Sequence, residues 1–135
     1  ALSKRGYFLP HAKEVLNKLK DEYQIAIVTN GFKYIQKRRI QNCGLNKLID
    51  AVFISEDIGF EKPDVRYFKE VFKKFDINKD NYLMIGDSLS SDIKGAKNAK
   101  IDAFWIHQNI NDDKGLPMGD DLLTFYTWLK RPKLV

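Results

Sequence analysis

The sequence predicts an α/β fold in which a mostly parallel β-sheet carries helices on both faces. Apolar runs of five or six residues alternate along the chain with longer stretches of helical apolar periodicity. The run at 25–29, IAIVT, is continuous, which is typical of a strand that is covered on both faces. Strands connected through helices pair in parallel, because each crossover returns the chain to the same end of the sheet. We expect one such domain over residues 1–135.

Each predicted strand is a continuous apolar run bounded by turn residues. The four strands are residues 25–29, 51–55, 82–86 and 102–107. Residues 109–121 are rich in Asn, Asp and Gly, which predicts a loop. The segment TFYTW at 124–128 fits either a last short strand or the start of a terminal helix.

Proline, glycine and serine set the predicted helix ends. Proline is favoured at the first helical position, and glycine is favoured just after the last one, where Gly44 stands. One predicted helix begins at Pro10, and a second follows Gly31 and ends at about Cys43. A third runs from Pro63 to about Phe75, and a fourth runs through Ala99 after a cap at Ser90 or Ser91.

Composition argues against several classes of protein. No apolar run approaches the roughly 18 residues of a membrane-spanning helix, so we expect no membrane association. The lone Cys43 cannot form an internal disulfide, which favours a reducing compartment and a cytoplasmic location. The net charge of +5 comes without a nucleic-acid-binding motif, so nucleic acid is not a favoured partner. The basic residues are scattered over two predicted helices, which indicates solvated helix faces or, alternatively, attraction of a phosphorylated substrate. They are Lys33, Lys37, Arg38 and Arg39 on one helix and Lys69, Lys73 and Lys74 on the other.

Polar signals follow two predicted strands and precede one helix. Thr29 ends the first strand, and its hydroxyl and the amides of Asn30 and Gly31 can donate to phosphate oxygens. Lys62, before Pro63, can bring a cation to a transferring phosphoryl group. Ligands of parallel sheets bind at the carboxyl ends of strands, so these groups are expected to meet. Taken singly, each signal is also compatible with an ordinary turn.

Two carboxylates follow the strand at 82–86. Asp87 comes directly after it, and Asp92 lies one turn into the next helix, so both can face one point. Magnesium prefers oxygen ligands, usually one or two carboxylates completed by water and phosphate. Carboxylates that only stabilise a tight turn and a helix start are the structural alternative.

Gly-Asp-Ser-Leu at 86–89 is also the signature of a serine esterase family, in which Ser88 would be the nucleophile. Such a nucleophile needs a histidine base and an acidic group that orients the base. The two histidines, His11 and His107, lack the Asp three residues earlier that this family uses. The esterase interpretation is therefore not favoured.

The order of the signals resembles the haloacid dehalogenase (HAD) superfamily of phosphatases. An apolar strand ending in Thr-Asn-Gly, then Lys-Pro, then a strand ending in Gly-Asp-Ser-x-x-x-Asp match the second, third and fourth motifs of that family. The resemblance covers roughly residues 8–108, and it implies a Rossmann-like, HAD-like core. The segments LPHAKEVLNKLKDEYQIAIVTNGF and VFISEDIGFEKPD are most similar to the pyrimidine 5′-nucleotidase-like subgroup, which hydrolyses nucleoside monophosphates.

The resemblance also implies roles for the motif residues. Thr29 would bind the phosphoryl oxygens, with Asn30 lining the same loop, and Lys62 would neutralise a phosphoaspartyl intermediate and orient the carboxylates. Asp87 would bind Mg2+, and Asp92 would bind it directly or through water. Ser88 and Ser91 would at most support these ligands from behind.

The first motif of the family, Asp-x-Asp, is not found in the sequence. By resemblance, it would supply the nucleophile on a central strand between the strands ending at Thr29 and Gly86. We therefore expect the 135 residues to be the C-terminal part of a longer phosphatase, to lack the cap domain that selects the substrate, and to be inactive alone. The unpaired strand edges would favour pairing with a missing N-terminal segment or self-association.

Other functions remain to be weighed. A non-catalytic HAD-like module that binds phosphate, magnesium or a protein is the main alternative. A phospho-receiver domain places its acidic residues before the Thr and Lys, contrary to the order found. A dinucleotide-binding fold would need G-x-G-x-x-G, which is missing from the sequence.

Overall fold

The computed structural model describes residues 11–75, 77–107 and 115–132. The strands are β1 (Ala26–Thr29), β2 (Ala51–Ile54), β3 (Leu83–Gly86), β4 (Asp102–Ile106) and β5 (Met118–Gly119). The helices are α1 (Ala12–Leu19), α2 (Lys33–Asn42), α3 (Ser55–Ile58), α4 (Val65–Lys74), α5 (Lys94–Ala99) and α6 (Leu122–Leu129). A 3-10 turn covers Lys79–Asn81, and a π-helical turn at Leu89–Ile93 leads into α5. None of the described helices is long and apolar enough to cross a membrane.

All strand pairs are parallel, which confirms the predicted fold class. β1 pairs with β2, and β3, β4 and β5 form a second sheet in that order. Within the described ranges, β1 and β3 are not paired with each other. Their unpaired edges belong to the two strands between which the sequence predicts a missing strand.

Helices cover both faces of the sheets, because successive strand residues point to opposite sides. On one side, α1 and α6 pack on β3 and β4 around Phe104, while Ile40 of α2 packs on Ile27 of β1. On the other side, α4 and α5 pack around Tyr67 and Met84. The continuous apolar runs are therefore explained by burial on two faces.

The end of one predicted strand and the starts of two predicted helices differ in the structure. Ser55 was predicted to end a strand but begins α3. The fourth helix starts at Val65 rather than at Pro63, because the Asp64 carboxylate accepts the Arg66 amide as an N-cap. The helix after β3 is capped by Ser88, not by Ser90 or Ser91. The Ser88 hydroxyl oxygen accepts the Ser91 amide at 3.2 Å.

The C-terminal part of the chain also differs from the prediction. The predicted loop at 109–121 contains β5, which extends the parallel sheet beyond β4. TFYTW lies within α6, so the helical alternative is correct. The predicted helix start at Pro10 and the first part of the predicted loop, to residue 114, lie outside the described residues.

Candidate functional site

A buried ion pair joins two of the predicted site residues. The Lys62 amine lies 2.5 Å from Asp92 Oδ1, and only 7% of Lys62 and 2% of Asp92 are exposed. The same amine donates to the Val28 carbonyl oxygen of β1 at 3.0 Å. Lys62 therefore links the end of β1 to the turn that follows β3.

Asn30 holds the Lys62 backbone in place. Its side-chain oxygen accepts the Lys62 amide at 2.9 Å, and its side-chain nitrogen donates to the Lys62 carbonyl at 3.1 Å. The Asn30 side-chain amide thus binds both the N–H and the C=O of Lys62, as a neighbouring strand does in a β-ladder. Asn30, which was predicted to line a phosphate-binding loop, thus also positions the lysine through its main chain.

The loop after β1 is fixed by side chains from neighbouring elements. The Thr29 hydroxyl is buried and donates to the Asn30 carbonyl at 3.2 Å. Gln36, from the first turn of α2, donates to the same carbonyl oxygen at 3.0 Å. The Gly31 amide, predicted to face phosphate, donates to Ser55 Oγ at 2.8 Å. Gly31 has φ +130, a conformation that disfavours any other residue, and a Cβ there would lie 2.7 Å from Gln36 Nε2, so Gln36 would have to shift.

The turn after β3 packs tightly around Asp92. Asp92 Oδ2 accepts the Ser88 amide at 3.3 Å. A Cβ on Gly86 would lie 2.2 Å from the same oxygen, so the glycine makes room for the carboxylate. Ser88 contacts Asp92 through its amide and caps the following helix through its hydroxyl.

Asp87 presents the open carboxylate of the site. Its carbonyl oxygen accepts Trp105 Nε1 at 3.1 Å, which fixes its main chain. Within residues 11–75, 77–107 and 115–132, its carboxylate has no hydrogen bond or ion pair, and the residue is half-buried. A half-buried carboxylate without a partner is suited to bind a cation.

The donor set fits part of a magnesium site. The described residues contain no group of three or more His, Cys, Asp or Glu that could hold a metal by themselves. Asp87 and Asp92 lie on one turn, and Mg2+ is commonly held by one or two carboxylates with water and phosphate oxygens. Among the described residues, Asp87 therefore offers a free carboxylate of the kind that Mg2+ binds, whereas Asp92 Oδ1 is engaged by Lys62 and Oδ2 by the Ser88 amide.

Tyr67, on the buried side of α4, also contacts the site. Its hydroxyl accepts the Thr29 amide at 2.8 Å and donates to the Phe53 carbonyl at 2.6 Å. Tyr67, Phe68 and Val71 form the apolar stripe of α4. A tyrosine in such a stripe is typical of a core residue, so no sequence signal separated its hydroxyl from its ring.

Six of the seven basic residues singled out in the sequence are exposed, and the seventh, Arg39, is half-buried. Lys33 pairs with Asp57 at 3.0 Å, and Lys73 pairs with Glu70 at 3.0 Å. These exposed pairs contribute little to stability. The structure thus favours solvated helix faces for them.

Comparison with known proteins supports the resemblance. The family of haloacid dehalogenase-like hydrolases matches residues 2–106. The HAD-hydrolase YfnB of Bacillus subtilis is 36% identical over 100 residues, covering 73% of this chain and 43% of YfnB. The pyrimidine 5′-nucleotidase PynA of Streptococcus pneumoniae is 37% identical over 106 residues, covering 77% of this chain and 45% of PynA. The chain thus spans a little under half the length of these relatives.

A solved structure shows the same fold. The crystal structure of YfnB bound to magnesium superposes with a TM-score of 0.83 at 32% identity, over 90% of this chain and 55% of that protein. An identity above 30% over most of the chain supports homology as well as a shared architecture.

Proposed function

The chain belongs to the haloacid dehalogenase-like hydrolases, and on this basis we propose that it is the C-terminal part of a magnesium-dependent phosphatase. The proposed substrate is a small phosphate monoester. The observation that carries the proposal is the buried Lys62–Asp92 pair in the turn that follows Asp87, whose carboxylate has no partner among the described residues. Phosphoryl transfer needs positioning and charge neutralisation, and this arrangement supplies both a fixed cation and carboxylates for a metal.

In the proposed site, each residue has a distinct task. The Thr29 hydroxyl binds a phosphoryl oxygen in place of its present contact with the Asn30 carbonyl. Lys62 neutralises negative charge on the transferring group, and its buried pair with Asp92 fixes its direction. Asp87 and Asp92 hold Mg2+, which when bound neutralises phosphate charge.

The nucleophile is proposed to lie outside these 135 residues, because their sequence contains no Asp-x-Asp motif. A strand that pairs with the open edges of β1 and β3 would bring a carboxylate close to Lys62 and Asp87. Attack by that carboxylate would form an aspartyl-phosphate and release the alcohol, and water would then release phosphate. Residues 1–135 alone are expected to be inactive.

The substrate class is proposed from similarity. PynA is a pyrimidine 5′-nucleotidase, which supports a nucleoside monophosphate as the substrate of the whole protein. A small phosphorylated metabolite is the broader class. The single, exposed Cys43 supports a reducing compartment such as the cytoplasm.

The test is hydrolysis of p-nitrophenyl phosphate by the full-length protein with and without Mg2+. Asp87→Asn should reduce the rate roughly a hundredfold or more, because a preorganised charge in the site is lost. Asp102→Asn, at the exposed start of β4, is the matched control and should leave the rate unchanged. Equal rates for wild type and Asp87→Asn would refute the proposed role of Asp87.

A further inference from the structure

The Tyr67 hydroxyl lies where β1 and β2 end. It is within hydrogen-bonding distance of three backbone groups: the Thr29 amide at 2.8 Å, the Phe53 carbonyl at 2.6 Å and the Thr29 carbonyl at 3.2 Å. The side chain is fully buried. The phenol therefore has no solvent contact and a fixed set of partners.

These contacts occupy the last step of the β1–β2 ladder. The Asp50 amide donates to the Ile25 carbonyl, so Ile25 and, by alternation, Thr29 present their backbone groups to β2. In the observed register, regular pairing would bring the Thr29 amide to the Phe53 carbonyl. The Tyr67 hydroxyl bridges these two groups.

The opposite edge of β1 is contacted from the same connection. Lys62 stands just before α4, and its amine binds the Val28 carbonyl at 3.0 Å. Tyr67 lies in the first turn of α4 and contacts the next residue of β1. The start of α4 therefore contacts the end of β1 on both edges.

We propose that Tyr67 is a positioning residue of the phosphoryl-binding site, whose hydroxyl sets the place of the Thr29 hydroxyl relative to the Lys62 amine. This role rests on the proposed phosphatase function. Phosphoryl transfer is sensitive to the placement of charged and donor groups, and small displacements can cost about 100-fold in rate.

The phenol stays a hydrogen-bond donor over the working range of the protein. Burial is the main cause that raises the pKa of Tyr67, and the negative charge of Asp92 adds to it. The contact with the Phe53 carbonyl therefore does not depend on pH near neutrality.

The test compares Tyr67→Phe with Tyr82→Phe in the full-length protein. The Tyr82 hydroxyl donates to the Phe75 carbonyl at 2.9 Å. Tyr82 lies just before β3 begins, at the end of the strands opposite to the site. Both changes remove one hydroxyl that binds a backbone carbonyl. For Tyr67→Phe we expect kcat for p-nitrophenyl phosphate to fall about 10- to 100-fold with KM within about threefold. Tyr82→Phe should keep kcat.

Thermal unfolding of both variants shows whether either change merely loosens the fold. A fall in kcat confined to Tyr67→Phe supports the role. The proposal is overturned by unchanged kcat in Tyr67→Phe, by an equal fall in both variants, or by an effect on KM alone. A wild type with no magnesium-dependent turnover would instead refute the proposed function itself, and the role of Tyr67 with it.

Discussion

Lys62 and Asp92 are the buried charged side chains of the described structure, and each is the main partner of the other. Taking a charge out of water is costly unless it is paired, so the pair is strongly coupled. The amine also binds the Val28 carbonyl, and Asp92 also accepts the Ser88 amide. At the scale of single residues, the same pair is therefore expected to affect both the stability of the fold and the proposed phosphatase activity.

Breaking the pair from one side should destabilise the protein strongly. Lys62→Met leaves the Asp92 carboxylate buried without its partner, and we expect a loss of about 3–5 kcal/mol in the free energy of unfolding. The measurement is urea denaturation. Asp92→Asn should also destabilise, because it leaves a buried amine.

The double variant Lys62→Met/Asp92→Asn removes both charges. It should lose less stability than the sum of the two single variants, since neither charge is left unpaired. Additive losses would show that the pair is not coupled. Phosphatase activity should be lost in all three variants.

At the scale of elements, α4 and α5 meet at a glycine. A Cβ on Gly95 would lie 2.6 Å from Phe68 Cε2 and 3.4 Å from the Pro63 Cα. The glycine therefore brings α5 close to the segment that carries Lys62. This contact fixes the distance between the Lys-Pro segment and the helix that carries Asp92 at its start.

Gly95→Ala tests that contact. Alanine is favoured over glycine in a helix by about 1 kcal/mol, so propensity alone predicts stabilisation. We expect a net loss instead, because overpacking costs about 1–3 kcal/mol. Lys97→Ala, on the exposed side of α5, should change stability by less than about 0.5 kcal/mol. A more stable Gly95→Ala variant in urea denaturation would show that Phe68 yields easily.

The N-cap of α4 makes a pH-dependent contribution. Hydrogen bonds from the Arg66 side chain and amide lower the pKa of Asp64 from 3.8 to about 2. A lowered pKa means that folding favours the ionised form, so this stabilisation is present above pH 3.8 and is lost as pH falls towards 2. Asp64→Asn, which can still cap the helix, should show a smaller fall in Tm between pH 4 and pH 2. An identical pH dependence in the variant would argue against the contribution.

The elements also show what could be predicted from sequence. β1 to β4 were predicted from continuous apolar runs, and each prediction was correct to within one residue at either end. β5 was missed because a two-residue strand carries no periodicity. The observed start of α4 lies two residues after the predicted one, because the Asp64 side chain caps the helix by accepting the Arg66 amide.

The site was predicted less completely than the fold. Motif order led to Lys62, Asp87 and Asp92, and the structure places Lys62 against Asp92. Two other contacts join segments that are far apart in sequence: the Gly31 amide donates to Ser55, and the Thr29 amide donates to the Tyr67 hydroxyl. No local pattern contains that information.

At the scale of the whole molecule, the main feature is the gap between the two sheets. Within the described ranges, β1 and β3 each have an edge without a strand partner. Lys62 reaches from one of these strands to the turn after the other. The proposed phosphatase function therefore requires a further strand that carries a nucleophilic carboxylate next to Lys62.

The most direct test is to measure the intact mass of the natively expressed protein together with its turnover of p-nitrophenyl phosphate with and without Mg2+. We expect a mass well above the 15.7 kDa of these 135 residues, and turnover that needs Mg2+. A native mass of 15.7 kDa without turnover would contradict this expectation. The chain would then be a non-catalytic module of the same fold.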